Sequence, residues 1–279
     1  MEYSLGLRQP SGRAAVIGTA VHKLFELLAK AKIDCPSLKT DEIRPYSAKE
    51  LMAVEGCKCD ITNEIYDYYV RDNPHIDFVR ADLTKYNRII RKGLELFDPR
   101  NENVYAVEEV FDLTLPNGVR LRGTTDLITV EDGVYHVVDY KTGMTKDFAT
   151  GKERSYDDFA QDAQLLIYFY AFAKVLQTTD IVITIVFLDR KVEFSLCFPE
   201  SHVDMLEEKL IMLSEKIMAC ESPTLTESWR CRKFCHFGKT KFDEGDSCSM
   251  CYTTYRKMQR DGLAVVAEEM SEEVTYDRG

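Results

Sequence analysis

Between Gly12 and Lys30 the apolar residues Ile17, Val21, Leu24 and Leu28 recur at helical spacing, and Ser11 stands where an N-cap belongs. The pattern predicts a helix with one buried stripe and His22 beside it. The helical period continues through residues 39–98: Ser47 caps "AKELMAV", and apolar positions repeat in "EIYDYYV" and "YNRIIRKGLELF" until Pro99 ends the run. That stretch reads as a helical insertion covering a core. From Val104 the pattern turns strand-like in "VYAVEEVFDLTL", "VRLRGTTDLITV" and "VYHVVDYK", rich in Val, Tyr, Leu and Thr. Asn117-Gly118 and Asp132-Gly133 separate these runs, and both dipeptides favour two-residue type I′ turns, so an antiparallel meander follows. Beyond a polar loop, "DDFAQDAQLLIYFYAFAKVL" predicts one helix, "IVITIVFLD" a buried strand, "VEFSLCF" its hairpin partner, and His202 to Cys220 an amphipathic helix.

Helix, meander, helix and strand in this order place the chain in the α/β class, a mixed central sheet flanked by helices. With 279 residues, 45% hydrophobic and 30% charged, it can bury a full core. No apolar run is long enough to cross a bilayer and Met1 to Arg13 lacks the order of a signal peptide, so the expected location is cytoplasmic. A net charge of -11 argues against a protein that coats nucleic acid nonspecifically, but leaves room for a local basic groove around acidic, metal-holding residues.

Chemistry concentrates in the second hairpin. A two-residue turn at Asp132-Gly133 pairs Glu131 with Val134, and counting back sets Asp126 opposite Asp139, while alternation puts Lys141 on the face of Asp139. Two adjacent carboxylates repel unless they share a proton or bind a cation, and magnesium suits such oxygen ligands. Metal, water and an ammonium group together are the components of phosphodiester hydrolysis. The competing reading is a surface ion pair beside a solubilising hairpin aspartate; the apolar flanks of "VVDYK" weigh against it.

"GTTDLI", thirteen positions before "DYKTG", resembles the PD-(D/E)XK nuclease superfamily, specifically its RecB-like branch of CRISPR-associated and helicase-coupled recombination nucleases. Thr125-Asp126 stands for the first half of the motif and Asp139-Tyr140-Lys141 for the second, without the proline and with Asp in place of Glu. "GTAVH", Gly18 to His22, is similar to the branch's histidine motif, which implies that His22 approaches the metal; "QLLIY", Gln164 to Tyr168, is similar to its Q-x-x-x-Y motif, which implies that both residues position the substrate strand. The resemblance also implies an acid on the first strand. Glu108, three positions before Phe111, fits the branch's spacing, whereas counting through Asn117-Gly118 pairs Glu109 with Asp126, and both remain candidates.

Of the nine cysteines, Cys231, Cys235, Cys248 and Cys251 form two close pairs able to close a tetrahedral zinc site. The RecB-like resemblance implies an iron-sulfur cluster instead, its distant ligand one of Cys35, Cys57 or Cys59; His236 is a substitute ligand, and Cys197 and Cys220 read as packing residues. Arg88, Arg91 and Lys92 on one helix, Arg120 and Arg122 on a strand, and Lys146, Lys152 and Arg154 in a loop are candidates for phosphate contact.

The resemblance therefore implies a restriction-endonuclease-like nuclease domain over residues 1–219, with the insertion at about 39–98. A Cys-rich metal-binding subdomain at 220–262 and an acidic tail at 263–279 complete the expected organisation. The implied activity is magnesium- or manganese-dependent hydrolysis of DNA, exonucleolytic, in recombination, repair or viral DNA processing. DNA with single-stranded or duplex ends is the implied substrate, and a helicase or a recombination or replication protein the implied partner. A noncatalytic DNA-binding or scaffolding subunit that kept the fold is the alternative.

Overall fold

The computed structural model describes residues 11–34, 36, 61–147, 150–219, 257, 260–262 and 265–266. Residues 12–211 form one compact unit. Within it lie helices α1 (Arg13–Asp34), α2 (Ile61–Asp72) and α3 (Arg80–Leu96), strands β1 (Val104–Thr114), β2 (Arg120–Glu131) and β3 (Val134–Lys141), helices α4 (Tyr156–Ala160) and α5 (Ala163–Leu176), and strands β4 (Ile181–Phe187) and β5 (Val192–Cys197). Helix α6 (His202–Met218) begins in the same unit. Among the described residues no helix is long and apolar enough to cross a membrane.

The sheet runs β1-β2-β3-β4-β5. Its first three strands are the expected meander, β4 joins β3 in parallel through the α4–α5 crossover, and β5 returns antiparallel. Helices cover both faces. Val137, Ile183 and Ile185 pack under α5, with Phe169 and Phe172 from that helix. Val138, Tyr140 and Val186 pack under α1, with Val21, Leu24 and Phe25, and α2 and α3 add Tyr66, Tyr86 and Ile89 to this second core. Strand alternation thus sends one set of β3 side chains to each core, and β3 sits in the middle of the molecule.

Three local expectations are corrected. The first hairpin closes through three residues, Pro116 to Gly118: Gly118 N donates to Leu115 O at 2.8 Å, Leu115 N donates to Val119 O at 2.8 Å, and Gly118 takes φ +83°. This extra loop residue shifts the β1–β2 register by one, so Glu109 pairs with Thr125 and not with Asp126. The second hairpin does use the predicted turn, with Asp132 and Gly133 both at positive φ. Next, the long helix after β3 is two helices, because Asp162 turns its side chain to cap α5 by accepting from Gln164 N at 2.9 Å, leaving Gln161 at the end of α4. Finally, Cys197 is exposed on β5, where alternation turns Leu196 inward instead.

Candidate active site

The β2–β3 ladder follows the predicted register from Glu131↔Val134 to Leu127↔Val138 and stops one pair short of Asp126 and Asp139. Two side chains take over from the backbone there. Thr125 Oγ1 donates to Val138 O at 3.0 Å, and Asp126 Oδ2 accepts from Tyr140 N at 2.7 Å. The strands diverge into a fork, and Asp126 stands at its mouth. Its other oxygen, Oδ1, lies 3.0 Å from His22 Nδ1 on α1. A carboxylate only accepts, so Nδ1 carries the hydrogen and Nε2 is left unshared in the neutral ring.

On the other side of the fork, Asp139 is 4% exposed. Gln164 Nε2 donates to its Oδ1 at 3.1 Å and to Tyr168 OH at 2.8 Å, while Gln164 Oε1 accepts from Lys141 Nζ at 3.0 Å. Tyr168 OH in turn donates to Thr124 O at 3.0 Å. Lys141 Nζ stands 2.6 Å from Asp139 Oδ2, yet that buried oxygen receives no aligned hydrogen bond. The Q-x-x-x-Y motif therefore works as a brace: one amide holds the acid by one oxygen and holds the amine, which stands at the acid's second oxygen.

Glu108 completes the arrangement. The register places it opposite Asp126, between the pairs Val107↔Leu127 and Glu109↔Thr125, and its φ of +52° is one that non-glycine residues rarely adopt. That backbone conformation inverts the strand's alternation. Phe111 packs under α5, whereas Val107, an even number of residues away, packs under α1, and Glu108 lines the cleft on the α1 side. Glu109 is not among the residues lining it. The cleft, about 600 Å³, is walled by α1 from Ala14 to Glu26, by Glu108, Asp126 and Lys141, and by Tyr69 of α2. Gly18 lets α1 approach closely: a Cβ there would meet Thr142 Oγ1 at 3.0 Å.

The electrostatics are those of crowded acids. Burial, reinforced by the charges of Asp126 and Glu26, pushes the Glu108 carboxyl above its ordinary range. Burial also raises Asp139, with Lys141 opposing and Asp126 adding to the rise. Burial pulls His22 down, but its hydrogen bond to Asp126 and the charges of Asp126 and Asp139 outweigh this and lift it above its usual value. Such a cluster is relieved by a cation.

The expected trio of His22, Asp126 and Asp139 is not gathered into a ready three-ligand cage; among the described residues no group of three His, Cys, Asp or Glu side chains is. The reason is visible in the bonds: His22 and the β3 backbone engage Asp126, and Gln164 and Lys141 engage Asp139. Asp126 on the cleft wall and the buried Asp139 beside Lys141 are oxygen donors of the kind that suits a hard ion that keeps several waters, as magnesium does. Cys231, Cys235, Cys248 and Cys251, with Cys35, Cys57, Cys59, Cys220 and His236, lie outside the described residues.

Several of the phosphate-contact candidates serve the fold. Arg88 Nε and Nη2 bind both carboxylate oxygens of Asp189, and Lys92 Nζ donates to Asp189 O at 2.8 Å, tying α3 to the end of β4. Arg120 pairs with Asp112, Arg154 with Asp162, and Lys146 with Glu153. Sequence reasoning missed Glu26 and Tyr69. Glu26 is one turn beyond His22 and two beyond Gly18, a spacing that marks one helix face; nothing in the sequence marks Tyr69, which arrives through packing of α2 on α1.

A mixed sheet with a meander, a parallel crossover and an acid–acid–lysine cluster at the carboxyl end of the crossover strand defines a restriction-endonuclease-like α/β protein. The chain belongs to the PD-(D/E)XK nuclease superfamily, whose family model matches residues 1–240. The RecB-like order of motifs is consistent with that membership. Among solved structures it is similar to a candidate exonuclease from Eubacterium rectale, with 13% identity, a TM-score of 0.45, and coverage of 78% of this chain and 71% of that one. No curated protein matches.

Proposed function

We propose that the protein is a magnesium- or manganese-dependent deoxyribonuclease that hydrolyses phosphodiester bonds from DNA ends, in recombination, repair or viral DNA processing. The observation that carries this reading is the brace in which Gln164 holds both Asp139 and Lys141 beside the fork occupied by Asp126. A divalent ion held by Asp126 and Asp139 would supply Lewis-acid stabilisation of the developing phosphoryl charge and would acidify water. Lys141, kept in place by Gln164, donates a hydrogen bond to the attacking water or to the charge that develops on phosphate. Gln164 fixes Asp139 through Oδ1 while Lys141 stands at its Oδ2, so that the acid and the amine are held together. His22 fixes Asp126 through Oδ1, and Glu108 adds negative charge on the cleft side. The cysteine pairs at 231–235 and 248–251 hold zinc, which their spacing supports, or an iron-sulfur cluster, which the family resemblance supports.

The test is an assay of end-labelled linear and closed circular DNA with magnesium, with manganese and with chelator. Nucleotides should be released from the linear substrate with metal only, the circle should survive, and Lys141→Ala should slow release by at least about 100-fold. Undiminished activity in Lys141→Ala would refute the assignment, and binding without turnover in the wild type would establish the scaffold reading instead. Metal analysis of purified protein reads the cysteine assignment: stoichiometric zinc or iron supports it, and fully folded metal-free protein overturns it.

A further inference from the structure

Tyr69 reaches the cleft from the helical insertion, a region of the chain to which none of the motifs assigns a role. Its ring is half-buried, packed on the α1-side core and set edge-on to Tyr68 at 5.3 Å and 88°, and it lines the same cavity as Asp126 and Lys141. The ring is held by its packing on that core and keeps part of its surface exposed at the cleft wall. Beside it, Glu26 accepts from both Lys23, at 2.8 and 2.9 Å, and Lys30, at 2.6 Å. Lys23 lines the cleft with the ring and its charge acts on the Tyr69 hydroxyl, while Lys30 shares the Glu26 carboxylate. An aromatic surface with an ammonium group beside it is the combination that takes a base and its phosphate. Bases within a duplex are stacked on one another and present no free face, whereas an unpaired base does. A cleft of about 600 Å³ is also the size of a small-molecule site, enough for a nucleotide or two.

We propose that Tyr69 stacks a base of an unpaired DNA strand beside the cut, with Lys23 at the neighbouring phosphate, so that the enzyme engages single-stranded DNA in preference to duplex. The proposal rests on the nuclease reading of the same cleft. It is tested by binding, in chelator, of fluorescein-labelled dT12 and of a blunt hairpin duplex to protein carrying Lys141→Ala, alone and with Tyr69→Phe or Tyr69→Leu. Leucine keeps the apolar packing against α1 and removes the ring; phenylalanine keeps both. The dT12 complex should weaken roughly 5- to 150-fold with leucine, the weight of one base stacked on an aromatic ring, and less than about twofold with phenylalanine. The hairpin should bind more weakly than dT12 from the start and change less than about twofold in either variant. Equal affinities of the leucine and phenylalanine variants for dT12, or equal losses on the hairpin, overturn the proposal. Because no turnover is involved, these readings stand apart from the cleavage assay, whose failure would remove the nuclease reading alone.

Discussion

Asp126 accepts the backbone N–H of Tyr140 at 2.7 Å, replacing a carbonyl of its own strand as the partner of β3. Regular pairing ends at Leu127↔Val138, and Thr125 makes the matching substitution by donating to Val138 O. Two successive side chains thus hold open a pair of strands that would otherwise zip up over the residues carrying the chemistry.

Thr125→Val should close or distort this fork. Val138 O loses its donor in a fully buried place, which costs about 1–3 kcal/mol. Thermal unfolding should report that loss, and activity should fall by more than stability explains, because Asp126 moves with the strand. Thr125→Ser, which keeps the hydroxyl, should recover most of both; equal behaviour of the two variants would show that the hydroxyl is irrelevant.

Glu108 holds a left-handed backbone at φ +52° and a carboxyl raised by burial and by its acidic neighbours. Both features cost stability in the metal-free protein. Glu108→Gly relieves a left-handed penalty of about 1–2 kcal/mol against a glycine entropy cost of about 0.5–1 kcal/mol. Glu108→Gln relieves only the repulsion. Either variant should melt no lower than the wild type in chelator while losing at least about tenfold in cleavage. A lower melting temperature together with full activity would place Glu108 in the fold and outside the site.

Gly18→Ala gains helix propensity of about 1 kcal/mol, but its Cβ meets Thr142 Oγ1 at 3.0 Å. Thr142 follows Lys141 directly, so the accommodation is made by the loop leaving the site. Stability should change by less than about 1 kcal/mol and cleavage should fall, up to about 100-fold if the shift approaches an ångström. Unchanged kinetics would show that the loop absorbs the methyl group away from Lys141.

His22 carries a pKa raised above 6.5 in the folded protein, the bond to Asp126 overcoming burial. A raised folded pKa means that the stabilisation is complete below the unfolded value and disappears as pH climbs through the folded one. The melting-temperature gap between wild type and His22→Asn, measured in chelator, should therefore be widest below pH 6.5 and narrow steadily above it. Asp189 is the opposite case: burial raises its pKa, but Arg88 and Lys92 more than compensate and hold it below the ordinary value. The gap between wild type and Asp189→Asn should be present above the unfolded carboxyl value and shrink as pH falls through the folded one. A gap with the reverse slope in either case would mean that the named pair does not control the titration.

The sequence by itself determined the elements and their class. Apolar spacing in α1, alternation in the meander and the Asp132-Gly133 turn are local properties of consecutive residues, and that turn alone was enough to set the β2–β3 ladder as far as Leu127↔Val138. The motif residues Lys141, Gln164 and Tyr168 were legible for the same reason, being fixed steps along one strand or one helix. Tertiary structure decided whatever depends on contacts between distant residues. The three-residue loop at Pro116 to Gly118, together with the inversion at Glu108, selected the glutamate that enters the cleft. The bonds of Thr125 and Asp126 to β3 turned an expected strand pair into a fork. Tyr69 came to the cleft because α2 packs on α1, an arrangement set by burial of side chains far apart in the chain and written in no local pattern.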